Sequence, residues 1–193
     1  MYNEEETIGS VVTRALRYVD EVICIDDGSS DASARIAEAC GATVVRHRVN
    51  RGYGGALKTL FLRAAELDAD ALVILDSDGQ HETKDIPKLL EPILNGSADF
   101  TIGSRFVDGG GGTDMPAYRR LGIKVITAAS NLSSDLGIKD TQSGFRAFSK
   151  TALERLRFDS EGMELSLEML EDAHEKQLKV CLLYTSDAAD DRL

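Results

Sequence analysis

The run Ala71-Leu72-Val73-Ile74-Leu75 is continuously apolar, too short for a helix and rich in residues that favour strands. It predicts a strand buried on both faces, as in the parallel sheet of an α/β protein. Where the run stops, Asp76-Ser77-Asp78-Gly79-Gln80-His81 follows. Ligands of open α/β sheets collect at the carboxyl ends of strands, so two carboxylates one residue apart stand at a binding position. Their hard oxygens suit Mg²⁺ or Mn²⁺ shared with substrate phosphates, and Gln80 adds a neutral oxygen. The competing reading is an Asx turn whose carboxylates bond nearby backbone N–H groups.

The flanking segments alternate between helical and strand patterns. Ile8, Val11, Val12, Ala15, Leu16 and Val19 predict a helix over 7–19. A strand over 21–25 ends at Asp26-Asp27-Gly28-Ser29-Ser30-Asp31, and Ser30 or Asp31 caps a helix over 32–39. A strand over 43–45 leads through Asn50-Arg51-Gly52-Tyr53-Gly54-Gly55 to a helix over 56–67. Beyond the central motif the pattern predicts a helix from 85 to 94, a strand over 99–102 and a glycine-rich loop. A long helix over 118–136, a polar turn at 140–146 running into a strand, and helices near 151–156 and 164–177 complete it. Such alternation implies a mostly parallel sheet flanked by helices.

A net charge of −11 argues against nucleic-acid binding and requires a metal or local arginines beside any anionic substrate. No apolar run approaches the roughly 20 residues of a membrane span. Cys24, Cys40 and Cys181 form no metal or redox spacing, so reduced thiols and the cytosol are the default. The tail from Cys181 to Asp191 resembles the translation of a sequencing adapter. The domain is therefore expected over 1–180, with 181–193 a non-native tail.

Six motifs in order are similar to those of family 2 glycosyltransferases of the GT-A fold, in the branch of dolichyl- and polyprenyl-phosphate mannose or glucose synthases. They are Tyr2-Asn3-Glu4-Glu5, Asp26 to Asp31, Asn50-Arg51-Gly52, Asp76 to His81, Gly103-Ser104-Arg105-Phe106 and Gln142-Ser143-Gly144-Phe145-Arg146. The family has an apolar first strand just before the Tyr-Asn-Glu motif, and this chain lacks it. The resemblance implies a truncated catalytic domain with the first strand missing, and hence a marginal fold.

It also implies roles. Tyr2 and Glu4 would flank the base and ribose of a GDP- or UDP-sugar, with Asp27 accepting from a base N–H. Asp26 would join the donor site or hold its own turn, and Asn50, Arg51 and Gly52 would line the donor cleft. Asp76, Asp78 and Gln80 would hold the cation, and Arg105 would bind diphosphate or acceptor phosphate. Arg119 and Arg120, with Gln142 and Ser143, would receive a polyprenyl phosphate at a membrane surface on the cytoplasmic side. Such an acceptor is already anionic and needs no base, whereas a hydroxyl acceptor would need one, for which Asp140 is the candidate. His81, beside the metal turn, would contact phosphate or serve the structure, and the resemblance puts Glu164 and Glu168 on a helix near the acceptor side. The expected activity is metal-dependent, inverting transfer to polyprenyl phosphate. Transfer to a glycan or small-molecule hydroxyl, and a non-catalytic nucleotide-sugar module, are the alternatives.

Overall fold

Residues 1–104, 124–126, 144–157, 159–160, 162 and 164–185 are described by the structure, a computed structural model. The amphipathic pattern near the start forms α1 (Ile8–Ala15), with Ile8, Val11, Val12 and Ala15 buried. Then follow β1 (Ile23–Asp26), α2 (Ser33–Ala39), β2 (Thr43–Arg46), α3 (Gly52–Glu66) and β3 (Ala71–Ile74). A short 3₁₀ turn, Thr83–Asp85, leads into α4 (Ile86–Leu94) and β4 (Phe100–Ser104). The remaining elements are β5 (Lys124–Ile126), β6 (Arg146–Ser149), α5 (Lys150–Arg155), α6 (Leu165–Glu175) and β7 (Val180–Tyr184).

Among the described residues the strands fall into two sheets. β1 and β2 pair in parallel, and the second sheet has the order β3-β6-β4-β7-β5. β3, β4 and β7 share one direction, which carries the expected parallel framework, while β6 and β5 oppose their neighbours. The direction of β6 has a local cause. Gly144, just before it, lies against Asp76 beyond the carboxyl end of β3. A strand that enters the sheet from that end has to run back antiparallel.

β1 and β3 are not paired with each other, yet Val22 packs against the apolar clusters of both sheets. Along the edge of β1, the Met1 ammonium donates to Ile25 O at 2.8 Å and Asp27 N donates to Met1 O at 3.0 Å. Those two bonds make Met1 a single rung of a parallel ladder.

β7 sits between β4 and β5 and buries both faces. Val180 and Leu182 join the cluster of Phe61, Phe100, Phe148, Leu165 and Met169. Cys181 and Leu183 point the other way, into the cluster of Ile86, Leu89, Phe145 and Ala147. Val-Cys-Leu-Leu-Tyr is apolar and strand-favouring, which is why the first residues of the expected tail enter the sheet.

The long helix expected over 118–136 is corrected where it is described, since Lys124–Ile126 form a strand antiparallel to β7. The β-branched pair Val125-Ile126 favours that state. α3 begins four residues earlier than its pattern suggests, at Gly52 rather than residue 56.

Candidate active site

The turn after β3 presents Asp76 and Asp78 partly exposed, with Gln80 exposed. Asp78 Oδ1 accepts from Gln80 N at 2.9 Å, so one carboxylate oxygen holds the turn in the manner of an Asx residue. The Asp76 carboxylate is packed on a glycine: a Cβ at Gly144 would stand 2.1 Å from its Oδ2. His81, 3% exposed, places Nε2 3.6 Å from the same Oδ2 and stacks against Phe145 at 5.2 Å. Its Nδ1 has no hydrogen-bond partner among the described residues.

Arg146 is buried in β6 opposite Ile74, two residues before Asp76. Burial lowers its pKa, against which the charges of Tyr53 and Asp76 act. Its Nη1 donates to Met169 Sδ at 3.4 Å. A cation thus underlies the carboxylate turn of an otherwise acidic chain.

The second half of the site lies where β1 ends. Asp26 Oδ1 accepts from Ser29 N at 3.0 Å, holding its own turn. Asp27 is buried and more heavily engaged. Its Oδ1 accepts from His47 Nδ1 at 2.7 Å and from Arg51 N at 2.9 Å, and its Oδ2 accepts from Gly52 N at 2.8 Å. Burial alone would raise its pKa, but these hydrogen bonds from His47, Arg51 and Gly52 hold it below the usual carboxylate range. They also explain the early start of α3, because Asp27 accepts from the N–H groups of Arg51 and Gly52, the latter shared with Asn50 Oδ1 at 3.0 Å.

The N-terminal segment joins the two halves. Asn3 Oδ1 accepts from Ser30 N, and Glu4 N donates to Ser33 Oγ at 2.7 Å. Asp31, expected as a cap, accepts from the backbone and hydroxyl of Ser33. Thr7 Oγ1 lies 3.1 Å from Glu4 Oε2 and 2.8 Å from Ser77 O. Tyr2 is exposed. Tyr2, Glu4, Asp26, Asp27, Asn50, Arg51, Gly52, Asp76, Asp78 and Gln80 are therefore carried on four connected segments. Arg105, Arg119, Arg120, Asp140, Gln142 and Ser143 lie outside the described residues.

Glu168 is occupied elsewhere: its carboxylate accepts from Asp159 N and Ser160 N, which lower its pKa. His47, Thr7 and Gly144 were not singled out for roles from sequence. His47 directly follows a strand and Thr7 directly precedes a helix, positions that signal a site and a cap respectively.

The described residues hold no cluster of three His, Cys, Asp or Glu side chains suited to a metal. Two partly exposed carboxylates at a strand end, one of them seated on a bare glycine, nevertheless fit Mg²⁺ or Mn²⁺. That ion keeps waters and substrate oxygens as its other ligands and needs only one or two protein carboxylates.

Together these features define a glycosyltransferase of the GT-A fold. The profile described as glycosyl transferase family 2 matches residues 1–157, and the chain belongs to that family. It is 35% identical over 182 residues to an uncharacterised protein of Methanocaldococcus jannaschii, covering 93% of this chain and 75% of that one. It is 34% identical to the UDP-N-acetylglucosamine–dolichyl-phosphate N-acetylglucosaminyltransferase of Methanococcus voltae, covering 80% and 69%. Identity to the dolichol-phosphate mannosyltransferase of Pyrococcus furiosus is also 34%, over 88% of this chain and 50% of that enzyme. Among solved structures it resembles glucosyl-3-phosphoglycerate synthase of Mycobacterium tuberculosis with Mn²⁺, UDP-glucose and phosphoglyceric acid. The TM-score is 0.69 at 26% identity, covering 95% of this chain and 67% of that one.

Proposed function

We propose that this glycosyltransferase moves a sugar from a nucleoside-diphosphate donor, bound with Mg²⁺ or Mn²⁺, to a polyprenyl phosphate, with inversion. The carrying observation is the Thr7 hydroxyl, within hydrogen-bond reach of both Glu4 and Ser77. It ties the segment proposed for the nucleoside to the turn proposed for the diphosphate.

Asp27 Oδ2 accepts one described hydrogen bond, and its second lone pair is assigned to a base N–H. Tyr2 and Glu4 flank base and ribose, Asn50, Arg51 and Gly52 line the cleft, and Asp26 shapes the turn beside them. Asp76, Asp78 and Gln80 would hold the cation, which neutralises charge on the departing diphosphate when bound. Arg105 is assigned to diphosphate or acceptor phosphate, and Arg119, Arg120, Gln142 and Ser143 to the acceptor. An acceptor phosphate oxygen bonds to the anomeric carbon opposite the leaving group. The carbon–oxygen bond to the diphosphate breaks, and its electron pair leaves with the nucleotide. The names of the Methanococcus and Pyrococcus relatives support this acceptor. No helix among the described residues is long and apolar enough to cross a membrane.

A second reading, transfer to a small-molecule hydroxyl with Asp140 as base, is favoured by the solved relative that binds phosphoglyceric acid. Radiolabelled UDP- and GDP-hexoses with Mn²⁺, offered dolichyl phosphate or 3-phosphoglycerate, separate the two. Label entering the organic phase is expected. Label that enters only water-soluble product overturns the lipid acceptor, and donor binding without any turnover overturns both.

A further inference from the structure

The network under Asp27 extends beyond the residues assigned to the donor. His47 follows β2 directly, and its backbone N–H donates to Asp26 O at 2.8 Å, so β1 sets its position. Its ring is almost fully enclosed, with 6% of the side chain exposed against 7% for Asp27. Nδ1 meets Asp27 Oδ1 at 2.7 Å, and a carboxylate with its lowered pKa only accepts, so Nδ1 carries the proton. Nε2 meets Thr59 Oγ1 at 2.8 Å, and that hydroxyl also reaches Gly55 O at 3.0 Å, one turn earlier in α3. The imidazole therefore spans from the end of β1 to the second turn of α3.

The consequence lies in how the lone pairs of Asp27 are distributed. A carboxylate offers about four acceptor positions. His47 and Arg51 N take both on Oδ1, and Gly52 N takes one on Oδ2. Without the imidazole, only the two backbone N–H groups hold the carboxylate, and Oδ1 regains an open position.

We infer that His47 is a positioning residue for nucleobase recognition: held by Thr59, it orients Asp27 so that a single Oδ2 lone pair faces the donor. The inference rests on the donor-site reading given above. It assigns to His47 the base-dependent part of donor binding and none of the diphosphate-dependent part, which belongs to the turn after β3.

Calorimetry on the full chain with Mn²⁺ tests it, using UDP, GDP and inorganic pyrophosphate as probes. His47→Leu should weaken the preferred nucleoside diphosphate by at least about tenfold, the worth of one charge-assisted hydrogen bond. Pyrophosphate binding should be unchanged. His47→Asn retains an N–H near the Nδ1 position and should restore most of the nucleotide affinity, although it loses Thr59. Equal weakening of pyrophosphate, or no recovery with Asn, makes His47 a structural residue and overturns the inference. Unchanged nucleotide binding in His47→Leu, where the wild type prefers UDP or GDP to pyrophosphate, overturns the inference alone. A wild type with no such preference overturns the donor-site reading and this inference with it.

Discussion

The carboxylate of Asp76 rests on the α-carbon of Gly144, in space that any other residue's side chain would occupy: a Cβ there would meet Oδ2 at 2.1 Å and Cγ at 2.5 Å. The atoms in the way are the end of a short, 43% exposed side chain, so they can swing aside. Gly144 is itself buried, but the group in the way is movable, so Gly144→Ala should cost only about 1 kcal/mol. It should displace a proposed metal ligand, raising the Mn²⁺ concentration needed for half-maximal transfer by an order of magnitude or more. A melting temperature near wild type with an unchanged Mn²⁺ titration would remove Asp76 from the metal site.

Among the described residues Asp78 bonds only its own turn, at Gln80 N, so its carboxylate is a weaker structural element there than that of Asp27. Asp78→Ala is expected to leave the fold intact and lower transfer by at least about a hundredfold, the scale of losing electrostatic stabilisation of a leaving group. EDTA should do the same to the wild type, reversibly. Full turnover in EDTA would count against metal dependence.

Asp27 makes stability depend on acidity. Its native pKa lies below the unfolded value, so its ionised form contributes stability above the unfolded pKa of about 4. That contribution is lost as pH falls through the native value. Asp27→Asn should be less stable by about 1–3 kcal/mol at neutral pH, from losing hydrogen bonds to a charged acceptor. The two melting curves should converge in acid. A gap that stays constant from pH 7 to pH 3 would show that the charge is not the cause.

Strands β1 and β3 were readable because continuous apolar runs ending in carboxylates are short-range signals. The pattern starts α3 late because three glycines in its first turn look like loop, and the Asp27 oxygens that accept from its first N–H groups lie 24 and 25 residues earlier. The same distance hid His47, whose partners Asp27 and Thr59 are 20 and 12 residues away. The direction of β6 was hidden too, since it depends on Gly144 meeting Asp76 rather than on the alternation within residues 146–149. The acidic turn itself was legible, because its two carboxylates are neighbours in the chain.

The three thiols should differ in reactivity. Burial pushes Cys24 and Cys181 up to about 11, leaving almost no thiolate at neutral pH, whereas Cys40 is partly exposed. N-ethylmaleimide at pH 7.5 should give a single adduct at Cys40 by mass spectrometry, and three in denaturant. Rapid native labelling of Cys181 would mean that β7 leaves the sheet.

Met1 supplies one rung on the edge of β1, and an apolar extension of about five residues placed ahead of it would continue that ladder. Each side chain so buried is worth about 1.5–3 kcal/mol. The melting temperature should rise by several degrees, at roughly 2–4 °C per kcal/mol for a chain of this size. An unchanged melting temperature would mean that the edge beside Met1 does not accept a strand.

The place of β7 has a consequence for the order in which the protein can assemble during synthesis. Lys179 N reaches back 80 residues to Asp99, and the rungs that follow it fill the middle of the second sheet rather than its rim. A nascent chain therefore exposes the flank of β4 until 180–184 clear the ribosome, although β3, β6 and β4 are already available to pair. At ribosomal rates of about 5–20 residues per second, that interval lasts for seconds. An unpaired, apolar strand flank is then open to chaperones and to neighbouring nascent chains, which makes translation speed between β4 and β7 a control on yield.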